Sequence, residues 1–304
     1  MKKTGVICFV LVSVFSLQMC KPSSHRFKNE IEKLAKASKG TLGVGMMIVE
    51  YGDSLEYNGE LHLPMQSVFK FPIAMAILNK VDSAGLSLDK KIHFVTNEMD
   101  TNTWSPFRNA CAGKDTDVTI GSLLNYMVAK SDNIACDALI KELGGPDAVN
   151  AYVHHIGATG ITIVANEADM HKAWDVQYKN WCEPRQMMYL LYNFYKGKYL
   201  SKSNTDLLLR IMDSTSTSPK RLKGMLPKGT IVAHKSGSGP TNKNGITAAT
   251  NDVGIITLPD GNHLIIAAFL TDSEANEKTR DSVIAAIASA AYSNIEYYGD
   301  IEGK

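Results

Sequence analysis

Apolar residues recur at helical spacing at Phe27, Ile31, Leu34 and Ala35, which predicts an amphipathic helix over 27–37. The pattern then changes. Residues 41–49 form an apolar run interrupted by Gly43 and Gly45, which reads as a strand, with 55–57 as its pairing partner. Helical segments follow at 69–81 (ended before Gly85), at 120–128, and at 134–143, stopped by Gly144-Gly145. Pro184 opens another, carrying Met187, Met188, Leu190, Leu191, Phe194 and Tyr195, and 205–212 adds one more. The last third returns to strands at 231–234, 246–258 and 263–271. The last two flank the turn Pro259-Asp260-Gly261-Asn262. A closing helix over 276–295 lines Val283, Ile284, Ile287, Ala291 and Ile295 on one stripe. This order predicts an α/β (α+β) fold in which an antiparallel sheet is flanked by the N- and C-terminal helices. An α/β lobe would comprise 25–64 plus 216–304, a helical lobe 65–215 would be inserted into it, and a cleft would lie between them.

The first twenty residues stand apart. Lys2 and Lys3 precede an apolar run over 6–17, too short for a membrane span and shaped like a secretory signal. It ends in Leu17-Gln18-Met19-Cys20. Leu three residues before Cys resembles a lipoprotein signal that would acylate Cys20, whereas Met19 replaces the usual small residue, so a plain cleaved signal over 1–20 stays open beside it. Either reading sends the chain to the periplasm, free or anchored to the membrane. The 32 basic and 31 acidic residues nearly cancel, so no nucleic-acid partner is expected. Cys111, Cys136 and Cys182 are an odd number without close pairing, which argues against a disulfide framework. The eight histidines lack metal-ligand spacing, and neither metal nor cofactor is expected.

Three short motifs carry the chemistry: Ser67-Val68-Phe69-Lys70, Ser131-Asp132-Asn133 and Lys235-Ser236-Gly237. Each alone is weak, since a chain of this length holds about one S-x-x-K by chance. All three in this order supply a serine nucleophile, two lysines and a second hydroxyl to move protons and hold an anion. Ser67 is expected to start a helix, with its hydroxyl near the positive end of the dipole. Lys70, three residues on, then lies on the same face. It can take the Ser67 proton only if burial and Lys235 perturb its charge. Ser131-Asp132-Asn133 also reads as a helix N-cap. Residues 235–238 read as an edge strand on which Gly237 lets substrate lie close to the backbone.

The pattern S-x-x-K, S-D-N and K-[ST]-G resembles that of the class A serine β-lactamases and penicillin-binding proteins. The resemblance to the former spans about residues 25–295, and Glu167, in the irregular stretch 165–184, sharpens it. In class A enzymes a glutamate on this loop activates the deacylating water; penicillin-binding transpeptidases lack it. The resemblance implies that Ser67, Lys70, Ser131 and Glu167 are catalytic. It implies that Asn133, Lys235, Ser236, Gly237 and Ser238 bind substrate, with Trp104 at the cleft rim. The N–H groups of Ser67 and Ser238 would form the oxyanion hole, and Asp132 would hold its loop. His171 replaces the asparagine that helps hold the water, Ala168 stands where a proline often follows the glutamate, and Ala165 replaces an arginine that pins the loop. These departures resemble the extended-spectrum, cephalosporin-preferring branch found in Bacteroidetes. Asn244 falls where many members carry a carboxylate-binding arginine, and Arg221 falls where others supply it.

The implied function is hydrolysis of β-lactam antibiotics, cephalosporins preferred, by a monomer whose partners are β-lactam small molecules. Two other classes compete. A penicillin-binding D-Ala-D-Ala peptidase would share the serine and lysines but not Glu167. A non-catalytic lipoprotein binding module would have no reason to retain Ser67, Lys70, Ser131, Glu167 and Lys235 together.

Overall fold

The structure, a computed structural model, describes residues 23–299, with side chains from 27 to 293. The signal over 1–20, its lysines and Cys20 lie outside the described residues. Helix α1 (Ser23–Ala37) leads into strands β1 (Thr41–Ile48), β2 (Ser54–Tyr57) and β3 (Leu63–Pro64). A 3₁₀ turn at Gln66–Phe69 opens α2 (Lys70–Ala84). Strand β4 (Lys91–Phe94), α3 (Pro106–Ala110) and β5 (Thr116–Thr119) precede α4 (Ile120–Ala129), α5 (Asn133–Leu143) and α6 (Pro146–His155). Then come β6 (Ile161–Thr162), α7 (Glu167–Met170), β7 (Trp181–Cys182), α8 (Pro184–Tyr195) and α9 (Lys202–Asp213). Strands β8 (Val232–Ser238), β9 (Thr247–Thr257) and β10 (His263–Ser273) and helix α10 (Glu277–Gly299) close the chain.

The main sheet is antiparallel in the order β2-β1-β10-β9-β8. Its three central strands are buried nearly throughout because both faces are covered. On one face Val44, Ile256, Ile266 and Leu270 pack with Phe27 and Ile31 of α1 and with Val283, Ile284, Ile287 and Ala291 of α10. The side chain of Ile295, expected on the same stripe, is not described. The other face joins a larger core containing α2, α4, α5, α8 and α9. Helix α2 is buried over its first nine residues, from Lys70 to Leu78. A helix apolar on every side belongs at the centre of a core, which explains why this one lacks a polar stripe. Gly85 ends it in the left-handed conformation, φ 68°.

Each helix and strand expected from patterning is present within a few residues. Strand β8 is longer than the predicted 231–234 and absorbs 235–238, so the Lys235 motif is part of one continuous edge strand. The stretch 165–184 is less irregular than expected: it holds α7 and β7, the latter pairing with both β3 and β6. Helix α6 and the antiparallel β4-β5 pair were not predicted. Only Val149 and Val153 of α6 are buried, too sparse a stripe to register as periodic. The cysteines Cys111, Cys136 and Cys182 are free.

Gly43 and Gly45 have a packing reason. A Cβ at Gly45 would come within 2.8 Å of the Pro184 carbonyl oxygen and 3.1 Å of Met188 Cβ, so the N-terminus of α8 rests directly on β1. Gly45→Ala should therefore destabilise the protein by about 1–3 kcal/mol. Thermal melts should show the loss, and an unchanged melting temperature would mean that α8 does not pack this tightly.

Candidate active site

The cleft is about 690 Å³ and is lined by residues from the Gln66–Phe69 turn, the loops before α3 and α5, the α7 loop and strand β8. Three of its lining residues, Gln66 (φ 47°), Ser131 (φ 56°) and Ser218 (φ 52°), hold left-handed backbone without being glycine. Such conformations cost free energy and persist where surrounding contacts over-determine them.

Lys70 is the centre of the site. Its side chain is fully buried at the start of α2, and its Nζ donates to Ser67 Oγ (3.1 Å), Ser131 O (2.8 Å) and Asn133 Oδ1 (2.6 Å). Glu167 Oε1 lies 2.7 Å from the same nitrogen. An ammonium has three protons, so four acceptors must share them. The Ser67 hydroxyl also donates to Glu167 Oε1 at 3.5 Å. The nucleophile candidate is thus held between a lysine and a carboxylate, from two different elements.

The left-handed turn at Ser131 lets one residue serve both lysines. Its carbonyl accepts from Lys70, and its hydroxyl accepts from Lys235 Nζ at 2.9 Å. Lys235, also fully buried, donates its remaining strong bond to Ser236 O at 2.8 Å. Burial first, and the charge of Lys70 second, push its pKa well below the ordinary lysine value. Asp132 turns its carboxylate away from the cleft. It caps α5 through Ala135 N (2.8 Å) and accepts from Phe107 N (2.7 Å) and Ser105 Oγ (2.9 Å), as expected of a residue that holds its loop. Asn133 completes its bonding with Nδ2 to Thr103 Oγ1 at 2.8 Å. Trp104, 61% exposed, lines the cleft and is fixed by its Nε1 bond to Lys130 O at 3.0 Å.

Glu167 begins α7, and polar groups that the sequence reading missed hold it in place. The Asp137 carboxylate, on α5, accepts from Glu167 N (2.8 Å) and Ala168 N (3.0 Å). Asn166 caps α7 by accepting from Asp169 N at 2.8 Å. Asn180, fully buried, clamps the loop's entry: its Oδ1 accepts from Val164 N and Ala165 N, and its Nδ2 donates to Ala165 O. A neutral amide thus does what an arginine ion pair would do if position 165 were not alanine. Gln177 straps the loop to the nucleophile turn, accepting from Gln66 Nε2 at 2.7 Å. His171 lies exposed at the cleft wall.

Strand β8 supplies the opposite wall. Gly237 has a packing reason as well: a Cβ there would come within 2.5 Å of Met65 O and 3.2 Å of Ser67 N. The glycine lets β8 lie against the nucleophile turn itself. Arg221 was expected to bind a substrate carboxylate, directly or through water. It is 4% exposed, with Nε paired to Asp281 Oδ1 (2.8 Å) and Nη1 donating to Gly237 O (2.9 Å) and Asn251 O (3.0 Å). Only Nη2 points toward the cleft, donating to Ser238 Oγ at 2.8 Å. A guanidinium used this way stiffens the strand and polarises the Ser238 hydroxyl. On this side Thr217, Ser218, Ser236 and Ser238 line the cleft, with the hydroxyls of Thr217 and Ser236 3.0 Å apart.

The model of the β-lactamase enzyme family matches residues 26–295. The chain is 41% identical to β-lactamase VEB-1 of Pseudomonas aeruginosa, over 96% of this chain and 98% of that one. It is 40% identical to the extended-spectrum β-lactamase PER-1, also from Pseudomonas aeruginosa, over 93% and 92%. A class A β-lactamase structure from Bacteroides cellulosilyticus superposes with a TM-score of 0.86 at 34% identity, covering 90% of this chain and 99% of that chain.

The support under Glu167 has a pH signature. Burial pushes the Asp137 carboxyl up to about 6, opposed by the two backbone N–H groups it accepts from. In the unfolded chain it titrates near pH 4. Between about pH 4 and pH 6 the folded state therefore holds a proton that the unfolded state has released. The stability this contributes is complete below about pH 4 and is lost as pH rises through 6. Asp137→Asn removes the titration, so its melting temperature should rise relative to the unsubstituted protein between pH 4 and 6 and run parallel above 7. Curves parallel over the whole range would mean that Asp137 titrates alike in the folded and unfolded chain.

Proposed function

The chain belongs to the β-lactamase enzyme family and is a class A β-lactamase that hydrolyses the β-lactam ring, and from that premise we propose how its cleft does so. The observation that carries the reading is the convergence of Ser67 Oγ, Lys70 Nζ and Glu167 Oε1 within 3.5 Å of one another.

Ser67 Oγ attacks the lactam carbonyl carbon, and its proton passes into the Lys70–Glu167 pair. The N–H groups of Ser67 and Ser238 stabilise the oxyanion, a contribution of about 3 kcal/mol per donor. The C–N bond breaks as Ser131, held by Lys235, gives its hydroxyl proton to the departing nitrogen. The low pKa direction of Lys235 suits it to replace that proton. The proton gained by the Lys70–Glu167 pair restores Lys235, leaving Glu167 ionised; Glu167 then takes a proton from a water, the water attacks the Ser67 ester, and that proton returns to Ser67 Oγ as the ring-opened acid leaves with one water added. The carboxylate of the substrate is received by Ser236, Ser238 and Thr217, backed by the charges of Lys235 and Arg221. Asn133 bonds the acylamido group, and His171 and Trp104 border the cleft around it. The cleft is the junction of the lobe 25–64 plus 216–304 with the helical lobe 65–215. The N-terminal signal directs this monomer to the periplasm, with Cys20 acylated or the signal cleaved plainly. No helix among the described residues is long and apolar enough to cross a membrane.

A peptidase acting on peptidoglycan would need the same serine and lysines but no carboxylate beside them. Glu167, 5% exposed and bonded in place, supports the hydrolase reading. Glu167→Gln should acylate and then stall, so mass spectrometry after exposure to a β-lactam should show a persistent adduct on Ser67. Turnover near that of the unsubstituted enzyme would remove Glu167 from deacylation.

We further assign the cephalosporin preference to the Ala165, Ala168 and His171 loop. kcat/KM for a cephalosporin should exceed that for benzylpenicillin, and a clear excess for the penicillin would reject the assignment.

A further inference from the structure

We propose that Trp174 is a specificity-determining residue, its indole forming the wall against which a flat aromatic acyl side chain of the substrate lies. The proposal rests on the assignment of this cleft to β-lactam hydrolysis.

The two cleft walls differ in chemistry. The strand side presents the hydroxyls of Thr217, Ser218, Ser236 and Ser238, and the α7 loop presents, beside Glu167, His171 and Gln177, the apolar surface of Met170, Ala173 and Trp174. A β-lactam carries an ionised carboxylate on one side of its ring system and an acylamido side chain on the other. The carboxylate needs the hydroxyl wall and the cations behind it. That places the acyl side chain toward the apolar loop. Trp174 is 38% exposed there, and it shares the cleft with the exposed Trp104. Exposed indoles inside a concave site are ligand surfaces, since each offers a large flat face at low conformational cost.

Trp174 is also fixed in distance from the nucleophile. Its carbonyl accepts from Gln177 Nε2 at 2.8 Å, and Gln177 Oε1 accepts from Gln66 Nε2 at 2.7 Å. Both glutamines are more than nine-tenths buried, and Gln66 immediately precedes Ser67. Two hydrogen bonds therefore link the wall to the reacting serine. The indole is braced on the ring of Tyr178, 6.2 Å between centroids and tilted by 57°, and Tyr178 in turn donates to Asp272 at 2.5 Å. A wall held this way can discriminate by shape, whereas a mobile rim residue would adapt to any side chain.

The test uses two cephalosporins of identical nucleus, one with a thienylacetamido and one with an acetamido side chain. It follows kcat and KM for the unsubstituted enzyme, Trp174→Ala and Trp174→Tyr, with thermal melts confirming the fold. Trp174→Ala should lose about three- to tenfold in kcat/KM on the thienyl compound and less than about twofold on the acetamido compound. Trp174→Tyr should restore most of the loss. Equal losses on both substrates would make Trp174 a support for the loop, and no loss on either would make it a bystander; each result overturns the proposal. An unsubstituted enzyme that hydrolyses neither compound would remove the premise, and the proposal with it.

Discussion

The structure turns on one buried ammonium. Lys70 sits without solvent at the head of a helix whose next eight residues, Phe71 to Leu78, are apolar, and a charge in that position is tolerated only when its protons are fully bonded. Its acceptors come from the Gln66–Phe69 turn, the loop before α5 and the α7 loop. Satisfying the charge therefore draws three separate pieces of chain to one point. That point is where a serine hydroxyl, a carboxylate and a second hydroxyl are wanted for acyl transfer. The strained backbone at Gln66 and Ser131 is the local cost of bringing those acceptors round.

The remaining charge is kept out of sight. Lys235 and Arg221 both lie beneath the strand wall and touch the cleft through hydroxyls, Ser131 for one and Ser238 for the other. Buried cations keep their field in a low-dielectric setting, while the hydroxyls in front of them supply geometry. The α7 loop follows the opposite logic. It is held by amide and carboxylate acceptors for backbone N–H groups, with Asn180 and Asp137 making the main attachments.

Much of this was legible in the sequence, for physical reasons that differ by element. The sheet and its end helices declare themselves because β1 and the apolar stretches of β9 and β10 read as extended segments, and the end helices as amphipathic stripes. The local geometry around Ser67, Lys70 and Ser131 is legible because helical spacing and capping chemistry fix it, and that around Lys235 because its motif continues a strand. Asp137, Asn180, Gln66 and Gln177 were not, because each acts through a partner distant in the chain; Gln66 and Gln177 are 111 residues apart. A lone Asn or Gln has no local pattern that reveals a tertiary bond. Arg221 illustrates the converse. Its position along the chain pointed to the cleft, and only its partners Asp281, Gly237 and Asn251 show that most of the guanidinium is spent inside the fold. Gly237 was recognised as necessary, but the close approach of Met65 O, which also requires it, was not legible.

Asn251 on β9 donates to Pro64 O and Met65 O, fastening the turn that carries Ser67 to a strand 187 residues further along. Closing a loop of that length carries an entropy cost that contacts within a local helix do not. The cleft takes Ser67 from one side of this junction and Ser236 and Ser238 from the other, so it is complete only once the C-terminal strands are in place. A chain emerging from the ribosome carries Ser67 for most of its synthesis without the strands that wall its cleft. The last third of the polypeptide therefore decides when there is a cleft at all.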